Sequence, residues 1–470
     1  MNKSIVIIGG GIAGLTAAFR LKEAGIKVTL LEKNDRLGGV LYSYQKDGYL
    51  AELGPNSILE TSPLVTELIQ DIGLEKDKVY ADDSSKTRYI LRNKKPLPLP
   101  SSPLSFATTP LFSIMAKLRL IKEPFISAWD NQYEESLSQF VLRRLGREFL
   151  DYAINPFVAG VYAGDPDMLS VKHGFPKLYD LEQKYGGLIK GQIKGAKERK
   201  KRQEVAKQSA RMFSFRHGLK MIPDRMKDLL GSDVQTNTRV KHMTKKGAVW
   251  EVHTIGSDGV EQVIPADGVL YTGRITDLQH IKIDGRIPDN VTELQQIYHP
   301  PVSVLVLGFH RDQVQHPLDG FGVLIPKVEK FQILGVLFSS TMFEQRAPKD
   351  HVTLTVFVGG VRQPKNAQKS IEDILALALK DLHTILGVKG QPTFVHHTYW
   401  KQAIPQYNVG YGKYKNILND LEVTYQGLYF SGNYRSGISV ADTIVNSEEV
   451  CERIKKINRK VRKEKSQRIQ

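Results

Sequence analysis

The sequence predicts an α/β protein of several domains, one of them a parallel-sheet domain assembled from both ends of the chain. Three observations carry this. The chain has 470 residues, more than one ordinary core accommodates. Residues 4–32 read strand, glycine turn, helix, strand, acid. Near the other end, Gly427-Leu428-Tyr429-Phe430-Ser431-Gly432-Asn433 is a strand entering a second glycine turn, and Gly437-Ile438-Ser439-Val440-Ala441-Asp442 opens a helix.

The first element, Ser4-Ile5-Val6-Ile7-Ile8, is a buried-strand run that leads into Gly9-Gly10-Gly11-Ile12-Ala13-Gly14, a G-x-G-x-x-G match. Gly9 permits the tight turn, Gly11 lets backbone approach a pyrophosphate, and Gly14 lets helix and strand pack closely. A helix is expected over Leu15–Ala24, stopped by Gly25. Its N-terminus would offer unpaired N–H groups and a positive dipole to phosphates. The strand Lys27–Leu31 then ends in Glu32, followed by Lys33. Glu32 stands where a carboxylate accepts hydrogen bonds from ribose hydroxyls, which argues against a 2′-phosphate and hence against NADP. No G-K-[ST] follows the glycines, which excludes a phosphate-loop NTPase.

Residues 88–190 read mostly helical, with an apolar, proline-punctuated stretch from Leu97 to Leu118 beside Lys117, Arg119 and Lys122. Composition leaves two readings open, an ordinary buried helical subdomain or a segment lying in a headgroup layer. A middle piece over Met212–Leu219, Val234–Val240, Trp250–Thr254 and Asp267–Thr272 reads as a small β-rich insert returning to the main sheet. Residues 274–404 look mixed α/β, with Val302–Phe309 and Val352–Val358 as their clearest strands. The tandem His396-His397 would point to opposite faces of a strand, so it reads as structural.

Composition narrows the partners. Hydrophobic residues make up 41% and charged residues 25%, a folded globular profile. No run reaches the ~20 apolar residues of a spanning helix, and no secretory signal precedes the first strand. The single cysteine, Cys451, rules out an internal disulfide and a Cys-rich metal site. The expected setting is cytoplasmic. Net charge is +16, supplied largely by Lys194–Arg202 and by the tail from Arg453 to Arg468. Such an excess serves solubility or an anionic membrane surface. No helix-turn-helix, zinc finger or aromatic RNA-binding motif is present, so nucleic acid is not an expected partner.

Beyond Glu32, Arg36-Leu37-Gly38-Gly39 and Glu52-Leu53-Gly54-Pro55-Asn56 resemble the R-x-G-G extension and [DE]-x-G-P segment of the amine oxidase-like flavoproteins. The 427–433 and 437–442 stretches resemble their second flavin motif. The resemblance implies FAD, held by Gly9, Gly11, Ile12, Ala13, Gly14, Glu32, Lys33, Arg36, Gly38, Gly39, Gly54, Pro55, Asn56, Val240, Thr272, Trp400, Gly432, Asn433, Gly437, Ile438 and Ser439.

Further stretches resemble the oxygen-dependent protoporphyrinogen oxidase family and together span nearly the whole chain. They are Arg88–Asn93, Asn155–Pro166, Pro317–Pro326, Leu334–Ser340, Phe357–Gly360 and Tyr399–Tyr407. The resemblance implies six-electron oxidation of a porphyrinogen in two-electron steps through FAD, with O2 reduced to H2O2. It implies Arg88 as the partner of a substrate propionate, Leu318 and Leu334 as residues sandwiching a pyrrole ring, and Leu354 at a position that is often an aromatic stacking residue. Asn56 and the carbonyl of Gly160 would lie near flavin and macrocycle. The implied parts are an FAD domain (1–75, 213–273, 405–455), a helical membrane-binding domain (88–190), a substrate domain (76–87, 191–212, 274–404) and a basic tail (456–470). The membrane contact would be peripheral, on the inner face of the cell membrane, and the scheme accommodates a homodimer and handover of product to the next pathway enzyme. Two departures stand out: Thr272-Gly273-Arg274 where relatives continue Thr-x-Pro, and His217 at a position often glycine. Coproporphyrinogen III oxidation, amine oxidation on the same fold and a non-catalytic flavin-bearing adaptor are the rival readings.

Overall fold

A computed structural model describes residues 3–130, 132–201 and 210–469, with side chains described outside 196–201 and 458–469. Most of the Lys194–Arg202 cluster and the tail beyond Ile457 therefore lie outside the described side chains.

The nucleotide-type domain is a five-stranded parallel sheet in the order Val234–Gln235, Lys27–Leu31, Ser4–Ile8, Gly268–Tyr271, Leu428–Phe430. Strands from the start, middle and end of the chain share it, as the split motifs require. The first helix runs Ile12–Glu23, starting three residues before the expected Leu15, because Gly11 is its N-terminal boundary. Gly25 ends it with φ of +72°, a conformation that costs glycine little. The last helix, Val440–Ile469, packs along the first, and buried, unpaired Cys451 lies between them. Burial pushes that thiol up to about 12, so it is an inert core residue.

Between the middle strands Val234–Gln235 and Gly268–Tyr271 the chain forms an antiparallel sheet built on Thr238–Lys246, Val249–Gly256 and Glu261–Ala266, matching the β-rich reading. Just before Val234 lies a helix, Met221–Leu230, that the sequence reading does not include.

A second large sheet has seven strands in the order Phe394–Trp400, Val302–His310, His351–Gly359, Ile333–Phe338, Gly322–Leu324, Arg88–Arg92, Lys95–Pro98. The reading of 88–190 as helical holds from Pro103 onward, but 88–98 is a hairpin completing this sheet. Pro96 and Pro98 sit on its edge strand, where no ladder donor is needed. His396 and His397 point apart, as expected: one stacks on Tyr44 and the other meets Ser303 Oγ at 2.9 Å.

The seven-stranded sheet has two unlike faces. Leu305, Leu307, Phe309, Leu354, Val356 and Val358 pack with the helix Ile371–Leu386. On the other side Val302, Val304 and Val306 meet the hairpin Ser43–Glu52 and the helix Asn155–Tyr162. Between that helix and the 114–122 helix lies a separate helical core.

Candidate functional site

The glycine turn forms a cradle that only glycines fit. Gly9 has φ of +113°, and a Cβ there would lie 2.7 Å from Gly273 N. A Cβ on Gly14 would stand 2.0 Å from the Gly9 carbonyl, whereas one on Gly11 would meet nothing within 4 Å. Gly11 therefore borders open space, the arrangement expected where a phosphate approaches backbone. No side chain caps the helix that starts at Ile12, so the N–H groups of Ile12, Ala13 and Gly14 face the same space. Glu32 is buried, accepting from Gly10 N at 2.7 Å and from Asn34 Nδ2 at 2.7 Å. Its carboxylate is thus fixed beside the turn, where ribose hydroxyls would donate to it.

Gly38 N donates to the Gly10 carbonyl at 2.8 Å, laying the second glycine pair along the first. Arg36 turns onto its own loop, donating to the Gly39 carbonyl at 2.9 Å over the ring of Tyr42. Lys33 pairs with Asp277 at 2.6 Å, and Thr272 Oγ1 donates to the Gly9 carbonyl at 2.8 Å. Both of these buttress the turn. Val240 is buried in the core just before a register irregularity. Trp400 Nε1 donates to the Leu53 carbonyl at 2.7 Å, next to Gly54 and Pro55, and Asn56 Nδ2 reaches the Gly54 carbonyl at 3.3 Å. In the second motif Gly432 has φ of +148°, the Asn433 carbonyl accepts from Tyr407, Gly437 has φ of +85°, and Ser439 Oγ caps the last helix through Asp442 N. Ile438 is half-buried between the nucleotide-domain and helical cores. The donor set and the space left by the glycines fit FAD.

The open face of the seven-stranded sheet adjoins this cradle. Residues opposite one another in a ladder share a face. One row runs Arg88, Gly322, Leu337, Thr355, and the next runs Ile90, Leu324, Gly335, Phe357, Val304. Arg88, Leu324, Leu337 and Phe357 are half-buried, with Gly322 and Gly335 between them in the ladder. Gly160 packs closely on this side, since a Cβ there would lie 2.4 Å from Leu324 Cδ2. Phe157 and Val161 stay exposed on the same helix. The Arg88 guanidinium lies 5.3 Å from the Phe321 ring, and no carboxylate pairs with it among the described residues. Burial alone pulls its pKa below the usual arginine value.

The sequence-predicted substrate residues divide between the faces. Arg88, Gly160 and Leu334 belong to the open side. Leu354 is fully buried and Leu318 nearly so, both in the core under the Ile371–Leu386 helix, so neither faces the open side. Strand alternation explains the error: a three-residue slip moves a side chain to the opposite face. Phe357, three residues after Leu354, is the aromatic residue on the open face, and Leu324 and Leu337 are the aliphatic ones sequence reasoning missed. The signal available was the match Phe357–Gly360 itself.

The chain belongs to the family described as flavin containing amine oxidoreductase, whose model matches residues 12–455. It is an FAD-dependent oxidoreductase. Within that class its likeness is to porphyrinogen-oxidising proteins. It is 34% identical to protoporphyrinogen oxidase 2, chloroplastic/mitochondrial, of Arabidopsis thaliana, over 97% of this chain and 96% of that one. It is 30% identical to the coproporphyrinogen III oxidase of Bacillus subtilis (strain 168), over 94% of this chain and 96% of that one. The crystal structure of a candidate protoporphyrinogen oxidase from Exiguobacterium sp. 255-15 superposes with a TM-score of 0.79 at 25% identity, covering 97% and 99% of the two chains.

Proposed function

We propose that the protein oxidises protoporphyrinogen IX to protoporphyrin IX. The observation that carries this is Arg88, a half-buried guanidinium with no carboxylate partner among the described residues, at one end of a half-exposed apolar wall formed by Leu324, Leu337 and Phe357. A permanently charged fork suits a propionate, and the wall suits the flat apolar body of the macrocycle. Bound FAD would take up hydride, with O2 as the final acceptor. This chain's residues then bind and orient: the wall sets the ring plane, Arg88 its rotation, and the helix bearing Gly160 excludes water.

The one unpaired cation described on the wall favours a substrate with propionates along one edge over the four-propionate coproporphyrinogen III, the alternative raised by the Bacillus relative. Oxidation of the two porphyrinogens in air, followed by porphyrin fluorescence and peroxide, tests the choice. Faster turnover of protoporphyrinogen supports it, and faster turnover of coproporphyrinogen overturns it.

The proposal includes a peripheral membrane contact. Leu104, Ile114, Met115, Ile121 and Phe125 are each at least two-thirds exposed on the 103–125 helices. Lys122 lies beside them. An apolar patch of this size beside cations fits a headgroup layer. Among the described residues no helix is long and apolar enough to cross a membrane. The FAD, substrate and membrane-binding parts are proposed to correspond to the parallel sheet, the seven-stranded sheet including 88–98, and the helices after Pro103.

A further inference from the structure

Glu52 lies where four chain segments meet, outside the glycine cradle. Its carboxylate is 3% exposed. Ser43 Oγ donates to it at 2.6 Å, and Leu219 N at 2.9 Å. Arg346 Nη2 stands 3.4 Å away and donates to Ser214 Oγ at 2.7 Å. Arg346 is itself 2% exposed, and its carbonyl accepts from Thr353 Oγ1. Gly218, with φ of +84°, leaves the room for this arrangement, because a Cβ there would lie 2.3 Å from Ser43 Oγ and 2.8 Å from Glu52 Oε1.

The position of the pair gives it a use. Glu52 ends the hairpin that runs straight into Leu53–Asn56, the flavin-side loop. Arg346 sits in the connection between the strand bearing Leu337 and the strand bearing Phe357. One buried pair therefore joins the flavin loop to the open face of the sheet. We propose that Glu52 and Arg346 form a proton-sensitive joint, with Glu52 a positioning residue whose ionisation loosens the flavin loop and speeds FAD release.

Burial sets the sign, against the groups facing Glu52. Arg346 comes from the sheet connection; Ser43, Ser214 and Leu219 N come from the hairpin, the Met212–Phe215 strand and the turn after it. The neighbouring Lys220 is turned away to Asp224. Burial is the largest influence and raises the carboxyl to about 7, while Arg346, Ser43 and Leu219 pull it down. In an opened joint the same carboxyl would titrate near ~4.3. The closed joint thus holds the proton more tightly, is favoured at low pH, and weakens as pH rises from about 4.3 to about 7.

FAD release from the holoenzyme, followed by the fluorescence of freed flavin between pH 5.5 and 8, tests this without any porphyrinogen. Its failure would leave the substrate reading intact. The expected result is release roughly tenfold faster at pH 8 than at 5.5, with Glu52→Gln flat across the range. Arg346→Met removes the group that lowers the carboxyl, so its transition should move to higher pH, which keeps the test available if Glu52→Gln folds poorly. A flat wild-type profile, or a wild-type slope retained in Glu52→Gln, overturns the proposal.

Discussion

The two faces of the seven-stranded sheet are made by alternating residues of the same strands, yet one is closed and the other is not. Along His351–Gly359 the even positions 352, 354, 356 and 358 lie under the Ile371–Leu386 helix with Ile374, Ala378 and Leu382. The odd position Phe357 looks the other way and stays half-buried. Both faces bury apolar side chains, although the odd positions 353 and 355 of this strand are threonines, so burial alone does not distinguish packing from function here. What differs is the covering layer: a long helix fills one side, while the other meets a hairpin and a helix and keeps Arg88, Leu324, Leu337 and Phe357 half-buried. A half-covered apolar wall with an unpaired arginine at its end is therefore the informative surface.

The sharpest way to break this distinction is Leu354→Ala. On the closed face it should cost about 2–5 kcal/mol of stability, seen as a lower urea midpoint. Turnover per folded, flavin-loaded molecule should stay near wild type. A loss of turnover without a loss of stability would put Leu354 on the open face and refute the face assignment.

Arg88→Ala sits at the opposite end of the comparison. It should lower kcat/KM for protoporphyrinogen by about 10–100-fold, the scale of one charge-assisted contact. Stability should hardly change, because no carboxylate among the described residues loses its partner. Arg88→Lys should recover part of the loss, since it keeps the charge but not the fork.

Local motifs were legible in the sequence and long-range placement was not. The Gly9–Gly14 turn, the following strand and Glu32 are contiguous, so their geometry follows from spacing alone, as does the second turn at 432–439. The hairpin 88–98 was misread because its ladder partner, Gly322–Leu324, lies more than two hundred residues away and its own prolines disguise a strand. Leu354 was misassigned although 352–358 reads Val-Thr-Leu-Thr-Val-Phe-Val, because the alternation groups Leu354 with Val352, Val356 and Val358 but does not say which face of the sheet is covered by a helix. Glu52 was noticed only as part of a flavin motif. Its partner Arg346 has no sequence signature, because their meeting depends on how hairpin and sheet dock.

Phe357→Ala tests the aromatic position directly. It removes a half-buried ring from the open face, so about tenfold in kcat/KM is expected, with a stability cost well below that of Leu354→Ala. The contrast between these two variants, three residues apart, is more informative than either alone. Comparable stability losses would mean that Phe357 is packed as tightly as Leu354 and that the open face is only another core.

The smallest effect should come from Trp400→Phe, on the edge strand. Phenylalanine keeps most of the ring packing but loses the 2.7 Å bond to the Leu53 carbonyl, for about 0.5–1.5 kcal/mol. Because Leu53 follows Glu52 in the chain, this bond and the Glu52–Arg346 pair hold the same loop from two sides of the sheet. Two ties on one rigid loop should not act independently, so Trp400→Phe combined with Arg346→Met should depart from the sum of the single effects. Thermal unfolding of the four proteins measures that departure. Simple additivity would mean that the loop is flexible between its two anchors, and the open face would then be bordered by a hinge rather than by a fixed wall.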